Sequence, residues 1–152
     1  MGGGRVINGI LGRTQLEAWA KDGGVVPFHP EAIASRNNEI CIDLSLGCIA
    51  FNKTWLPDKP SEITFTLEVP PVTMMLARTK EYIALPNNLA GLLTIRSEWA
   101  QKGLNQLTSI LVKPNWSGYL ILELYFVPSS DEDFLVLSSG DRIAQLALFG
   151  VG

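Results

Sequence analysis

Residues 119–127 read Tyr-Leu-Ile-Leu-Glu-Leu-Tyr-Phe-Val. Successive side chains of an extended chain point to opposite faces, which puts Leu120, Leu122, Leu124 and Phe126 on one face. Tyr119, Ile121, Glu123 and Tyr125 take the other. A face made of leucine and phenylalanine needs a core beneath it, so the stretch predicts a strand half-buried in a sheet. Pro128-Ser129-Ser130-Asp131 supplies its turn.

The same rhythm continues outward in both directions. Upstream, Glu39–Leu46, Ile63–Val69, Val72–Ala77, Tyr82–Leu85, Ala90–Arg96 and Leu107–Val112 read as strands. Pro70-Pro71, Pro86-Asn87-Asn88 and Pro114-Asn115 punctuate them. Downstream, Phe134–Leu137 and Ile143–Phe149 flank the turn Ser138-Ser139-Gly140-Asp141. Many short strands with little helix between them predict an all-β antiparallel sandwich or barrel. Thr14–Lys21 is the one clear helix, with Thr14 as N-cap, Glu17 at capping-box spacing and Gly23-Gly24 as its stop. Leu16, Trp19 and Ala20 share its apolar face. Residues 97–103 predict one further helical turn. With no repeat and no linker, residues 1–152 form a single domain. Met1-Gly2-Gly3-Gly4 reads as a flexible tip or an appended scar.

Composition narrows the function classes. Apolar residues make up 47% and charged residues 18%, as in a packed domain rather than a disordered chain. A net charge of -3 argues against the basic face of a nucleic-acid binder, while leaving room for a small basic pocket. No apolar run is long enough to span a bilayer and no secretory signal opens the chain, so a cytoplasmic protein is expected. Cys41, Cys48 and His29 do not complete a tetrahedral zinc set, and both cysteines read as core or wall residues.

Several residues are candidates for chemistry. Glu123 is either a solvated glutamate or, in a partly closed aromatic-lined pocket, a proton shuttle. Arg96 and Ser97 open the helical turn, where a planar guanidinium, a hydroxyl and free backbone N–H groups suit an anion. The alternative is a surface ion pair on a connector. Asp43, a carboxylate within an apolar strand, requires partners and reads as structural. Lys113 sits at a tight turn, as a solvated tip or a phosphate donor.

In order and spacing, Arg96 to Leu104, Pro114 to Tyr125 and Gly140-Asp141-Arg142-Ile143-Ala144-Gln145-Leu146 resemble the dCTP deaminase and dUTPase family. Ile42 to Gly47, Tyr82 to Leu93 and the opening Leu11 to Val26 extend the resemblance over nearly the whole chain. The N-terminus is similar to that of the deaminases. The resemblance implies a distorted β-barrel or jelly roll that assembles as a homotrimer, with deoxynucleotide sites where subunits meet. It implies conversion of dCTP to dUTP without zinc, with magnesium accompanying the triphosphate. Glu123 and Ser97 are then the catalytic residues, with Glu123 moving protons; Arg96 and Ser97 hold phosphates, and Gln101, Lys113, Trp116 and Gln145 line the nucleotide site.

Four departures accompany that resemblance. Gln101 stands where deaminases carry an arginine, with Lys102 beside it turned about 100° away on a helix. Lys113-Pro114-Asn115-Trp116 replaces Asp-Pro-Gly-Trp, and a cation cannot accept a sugar hydroxyl's hydrogen bond. Glu98 adds a negative charge to a phosphate loop. The sequence ends at Gly152, before the tail that closes over the nucleotide in many members. These leave two further readings: a catalytically impaired nucleotide-binding or regulatory homologue, and a dUTP pyrophosphatase.

Overall fold

In a computed structural model, which describes residues 9–35, 38–51, 54–56, 66–107 and 110–151, the decisive stretch is a strand within Ser117–Phe126. Its leucine–phenylalanine face is buried and its tyrosine–glutamate face is largely outward. The strands in chain order are β1 (Val25–Val26), β2 (Cys41–Phe51), β3 (Thr54–Leu56), β4 (Thr66–Val69), β5 (Thr73–Ala84) and β6 (Leu89–Ile95). They continue with β7 (Leu104–Gln106), β8 (Leu111–Val112), β9 (Ser117–Phe126), β10 (Leu135–Ser138) and β11 (Arg142–Gly150). Residues 63–65 of the expected strand Ile63–Val69, and the glycine-rich opening, lie outside the described residues.

One antiparallel sheet runs β7-β9-β5-β2-β11-β6-β8, with β1 added on β5 and β3 on β2. The chain after Gly103 closes it. Its first part pairs with β9 (Leu104 opposite Phe126) and its last part with β6 (Val112 opposite Gly91). The two ends of the strand path are therefore tied by one short segment, and the sheet curls into a barrel. β4 and β10, distant in sequence, form a separate two-stranded antiparallel sheet. The barrel interior is filled by Ile42, Leu44, Leu46, Ile49, Leu122, Leu124, Phe126 and Leu146, all essentially inaccessible.

Two expectations about local structure need correcting. The segments Val72–Ala77 and Tyr82–Leu85 belong to a single strand, β5, whose register with β9 shifts between Arg78 and Tyr82. At the bulge Thr79 and Glu81 turn inward and are buried, while Lys80 between them stays exposed. The first helix, α1 (Arg13–Trp19), is capped by Gly12 with no side-chain cap, so Thr14 lies inside it. A widened turn over Ala20–Gly24 ends the helix, with Gly23 at φ 92°. A Cβ on Gly24 would sit 2.3 Å from the Trp19 ring, which explains the second glycine. Leu16 and Ala20 are buried, and the Trp19 indole packs against the core while donating to the Ala84 carbonyl at 2.9 Å. The expected turn at 97–103 is present as α2 (Ser97–Gln101). Among the described residues, no helix is long and apolar enough to cross a membrane.

Candidate functional site

Strand register assembles the first cluster. Asp43 on β2 lies opposite Gln145 on β11, and Gln145 lies opposite Thr94 on β6. Arg96 and Ser97 follow directly where β6 ends, so residues far apart in sequence meet at one end of three adjacent strands. Ala34, Glu39, Cys41, Asp43, Arg96, Ser97 and Gln145 line a cavity of about 220 Å³ there. The Trp99 indole anchors α2 to β11 by donating to the Arg142 carbonyl at 2.8 Å.

Charge is dense in this cluster. The Arg96 guanidinium places Nη1 2.8 Å from Asp43 Oδ2 and Nε 3.0 Å from Glu98 Oε1. Arg142 lies 3.9 Å from the same Asp43 oxygen and 3.8 Å from Glu31 Oε1, while it donates to the Glu31 carbonyl at 3.0 Å. Burial pushes the Asp43 carboxyl above its ordinary range. Arg96 and Arg142 pull it down, and Glu39 and Glu98 push it up again. Desolvation outweighs the ion pair because the acid is largely enclosed and is flanked by like charges. Asp43 has the partners that a carboxylate in an apolar strand requires, but they are arginine side chains rather than backbone, and it lines the cavity. Burial also raises the Cys41 thiol, with help from Glu39 and Asp43, which disfavours its thiolate, and Cys41 lines the cavity wall.

A second cluster forms around the turn before β9. Lys113 and Trp116 line a cavity of about 490 Å³ with Leu93, Leu111, Val112, Leu120 and Ile121. The turn is fixed by Trp116 N–H donating to the Lys113 carbonyl at 3.2 Å and by Asn115 at φ 66°. The Trp116 carbonyl accepts the Leu85 N–H at 2.8 Å, which ties the turn to the end of β5. Glu123 shares the outward face of β9 with Ile121 and is opposite Leu76. It is exposed in the single chain, on an open strand face rather than in a closed pocket. Nearby, the Tyr82 and Tyr119 rings meet edge to face at 5.5 Å, and Arg78 lies 4.6 Å over Tyr119.

The structure thus brings Arg96, Ser97 and Gln145 together, and separately Lys113 and Trp116. Gln101 lines a third cavity of about 600 Å³ with Lys102, Phe126 and Phe134, and the Lys102 ammonium rests 4.6 Å over the Trp99 ring. Glu123 lines none of these three cavities. Sequence reasoning missed Arg142 and Glu39 as members of the charged cluster. An arginine directly after the Gly140-Asp141 turn was a signal that could have found the first. Among the described residues, no group of three or more His, Cys, Asp or Glu side chains is placed to hold a metal ion.

Comparison with known proteins adds three findings. The family model for dCTP deaminase-like proteins matches residues 10–151. A dCTP deaminase of Buchnera aphidicola subsp. Acyrthosiphon pisum is 36% identical over 112 residues, covering 70% of this chain and 56% of that protein. A dCTP deaminase, dUMP-forming, of Corynebacterium glutamicum is 32% identical over 142 residues, covering 86% and 74%. Among solved structures, the 2'-deoxycytidine 5'-triphosphate deaminase of Agrobacterium tumefaciens superposes with a TM-score of 0.70 at 16% identity. That match covers 97% of this chain and 49% of the Agrobacterium chain, so this chain spans about half of it. A dUTPase of Staphylococcus bacteriophage 80alpha, in a point-mutant form, gives a TM-score of 0.50 at 15% identity. It covers 78% of this chain and 81% of the phage chain. The two structural likenesses concern the fold.

Proposed function

We propose that this chain, which belongs to the dCTP deaminase-like family, binds a deoxycytidine nucleotide and removes its 4-amino group by hydrolysis. Water adds at C4, the amino nitrogen leaves as ammonia, and dCTP becomes dUTP. Arg96 and Ser97 hold phosphate, with Gln145 beside them in the same cavity. Lys113, Trp116 and Gln101 contact the rest of the nucleotide. Glu123 takes a proton from the attacking water and returns it to the leaving nitrogen. Magnesium arrives with the triphosphate as part of the substrate, and the chemistry uses protein groups rather than zinc.

The observation that carries this reading is the grouping of Arg96, Ser97 and Gln145 around one cavity at the ends of β2, β6 and β11. Lys113 and Trp116 border a different cavity, and Glu123 lies on the adjoining outward face of β9. A complete site then requires one copy's phosphate cluster to meet another copy's β9 face, as in a homotrimer.

A second reading is favoured by Glu98, Gln101 and Lys113. Glu98 already occupies the Arg96 Nε edge. This is a scaffold that binds the nucleotide and serves regulation without turnover. Incubation of the purified protein with dCTP and magnesium, with products separated by chromatography, decides between the two. Appearance of dUTP or dUMP, lost on Glu123→Gln, supports the deaminase. Unchanged dCTP together with measurable binding supports the second reading.

A further inference from the structure

The Arg96 guanidinium faces the cavity that the preceding reading gives to phosphate. A phosphate oxygen pair is best held by two parallel N–H groups of one guanidinium. Here Nε is engaged by Glu98 at 3.0 Å and Nη1 by Asp43 at 2.8 Å. A ligand that seeks the Nε edge must therefore displace the Glu98 carboxylate and then remain beside it. The pair itself is half in solvent, with Glu98 the more exposed partner, so breaking it costs little. The repulsion that follows is different in kind, because it grows with the ligand's own charge. Glu98 reaches the cluster through Arg96 rather than from the cavity wall, in which two other carboxylates, Glu39 and Asp43, stand. Against Glu39, Asp43 and Glu98 the cluster sets Arg96 and Arg142. An excess of acid is an unusual surrounding for a polyphosphate.

We propose that Glu98 is a specificity residue that makes this cavity discriminate by phosphate charge, narrowing the advantage of a triphosphate over a monophosphate. The proposal rests on the reading of Arg96 as a phosphate ligand. It adds a specific role for the neighbouring carboxylate. A phosphate monoester brings roughly two negative charges to Glu98, and a chelator-treated triphosphate about twice that. Neutralising Glu98 helps the second ligand far more than the first.

The experiment compares the wild-type protein with Glu98→Gln by titration calorimetry, in chelator-containing buffer so that no cation masks the ligand charge. The probes are dCMP, dCTP and inorganic tripolyphosphate. Glu98→Gln is expected to tighten dCTP and tripolyphosphate about tenfold and dCMP less than about threefold. The gain is expected to vanish in the Arg96→Ala background. Equal gains for dCMP and dCTP, or no gain for either, overturn the proposal while leaving the deoxynucleotide reading standing. If neither nucleotide binds but tripolyphosphate does, and gains in the variant, the charge filter stands, and the deoxynucleotide reading falls when dCTP with magnesium also fails to bind. If no probe binds either protein, the charge filter falls, and the deoxynucleotide reading falls with it only when dCTP with magnesium fails as well. Glu98 lies on the surface, so unchanged thermal midpoints are the control that the variant is folded.

Discussion

The hydroxyl of Thr79 accepts the backbone N–H of Leu120 at 3.0 Å and donates to the carbonyl of Glu81 at 2.9 Å. It does so where β5 and β9 lose register between Arg78 and Tyr82. One side chain therefore takes over the work of two missing ladder bonds in the barrel wall.

Thr79→Val keeps the shape and removes both bonds, leaving a buried N–H and a buried carbonyl unmatched. Each orphaned group costs about 1–3 kcal/mol. The variant is expected to fold with a markedly lower urea midpoint and an unchanged m-value, read by denaturant titration.

Glu81 supports the same bulge from the other side. Its carboxylate accepts the Ser45 N–H at 2.9 Å and the Ser45 hydroxyl at 2.5 Å. Burial raises its pKa above the ordinary 4.5, against the opposing pull of the two Ser45 bonds. The folded state therefore holds the proton more tightly than the unfolded chain. That contribution is fully present below pH 4.5 and is lost as pH rises through the higher folded value. Glu81→Gln keeps both contacts, since its amide donates to the Ser45 oxygen, but does not titrate. The stability difference between wild type and variant is expected to fall as pH rises from about 4.5, measured by denaturation across a pH series. A difference that grows with pH contradicts the assignment.

Gly103 ends α2 at φ 102°, and a Cβ there would lie 2.4 Å from the Val127 carbonyl oxygen. Gly103→Ala meets both the left-handed backbone and the clash. A loss of more than about 3 kcal/mol is expected, seen as a large drop in thermal midpoint. Gly140→Ala is the comparison: its φ is 88°, but nothing lies within 4 Å of the added carbon. It should lose only about 1–2 kcal/mol.

Lys113→Asp tests whether the reversed charge at the turn before β9 limits turnover. If the deaminase reading holds, the aspartate supplies an acceptor for the sugar hydroxyl, and kcat/KM for dCTP should rise about tenfold or more. No change, with binding intact, assigns Lys113 a place outside the reacting nucleotide.

The barrel was legible wherever one face of a strand is apolar. Leu120, Leu122, Leu124 and Phe126 point inward as their alternation requires. It was not legible at Arg78-Thr79-Lys80-Glu81, where buried polar residues bond one another across a bulge and so read as a break between strands. The capping-box spacing of Thr14 and Glu17 misplaced a helix start that Gly12 provides through backbone alone: its carbonyl accepts the Leu16 N–H at 2.9 Å. The cluster around Arg96 was half legible. Arg96 and Ser97 came from the local pattern and Gln145 from the family resemblance, but their meeting with Asp43, Arg142 and Glu39 follows from register between strands distant in sequence. Periodicity within one strand does not encode that.

Arg96 and Glu123 belong to different clusters of one chain, and this separation has a genetic reading. If the deaminase reading holds in a trimer whose sites form between copies, Arg96→Ala and Glu123→Gln damage opposite halves of every site. Each variant alone should be inert. Co-refolded in one vessel, the two should recover a fraction of the wild-type rate, because some junctions pair an intact arginine from one copy with an intact glutamate from another. Two defective alleles would then rescue each other, and a single defective copy would cost such a trimer only the one site to which it lends its damaged half.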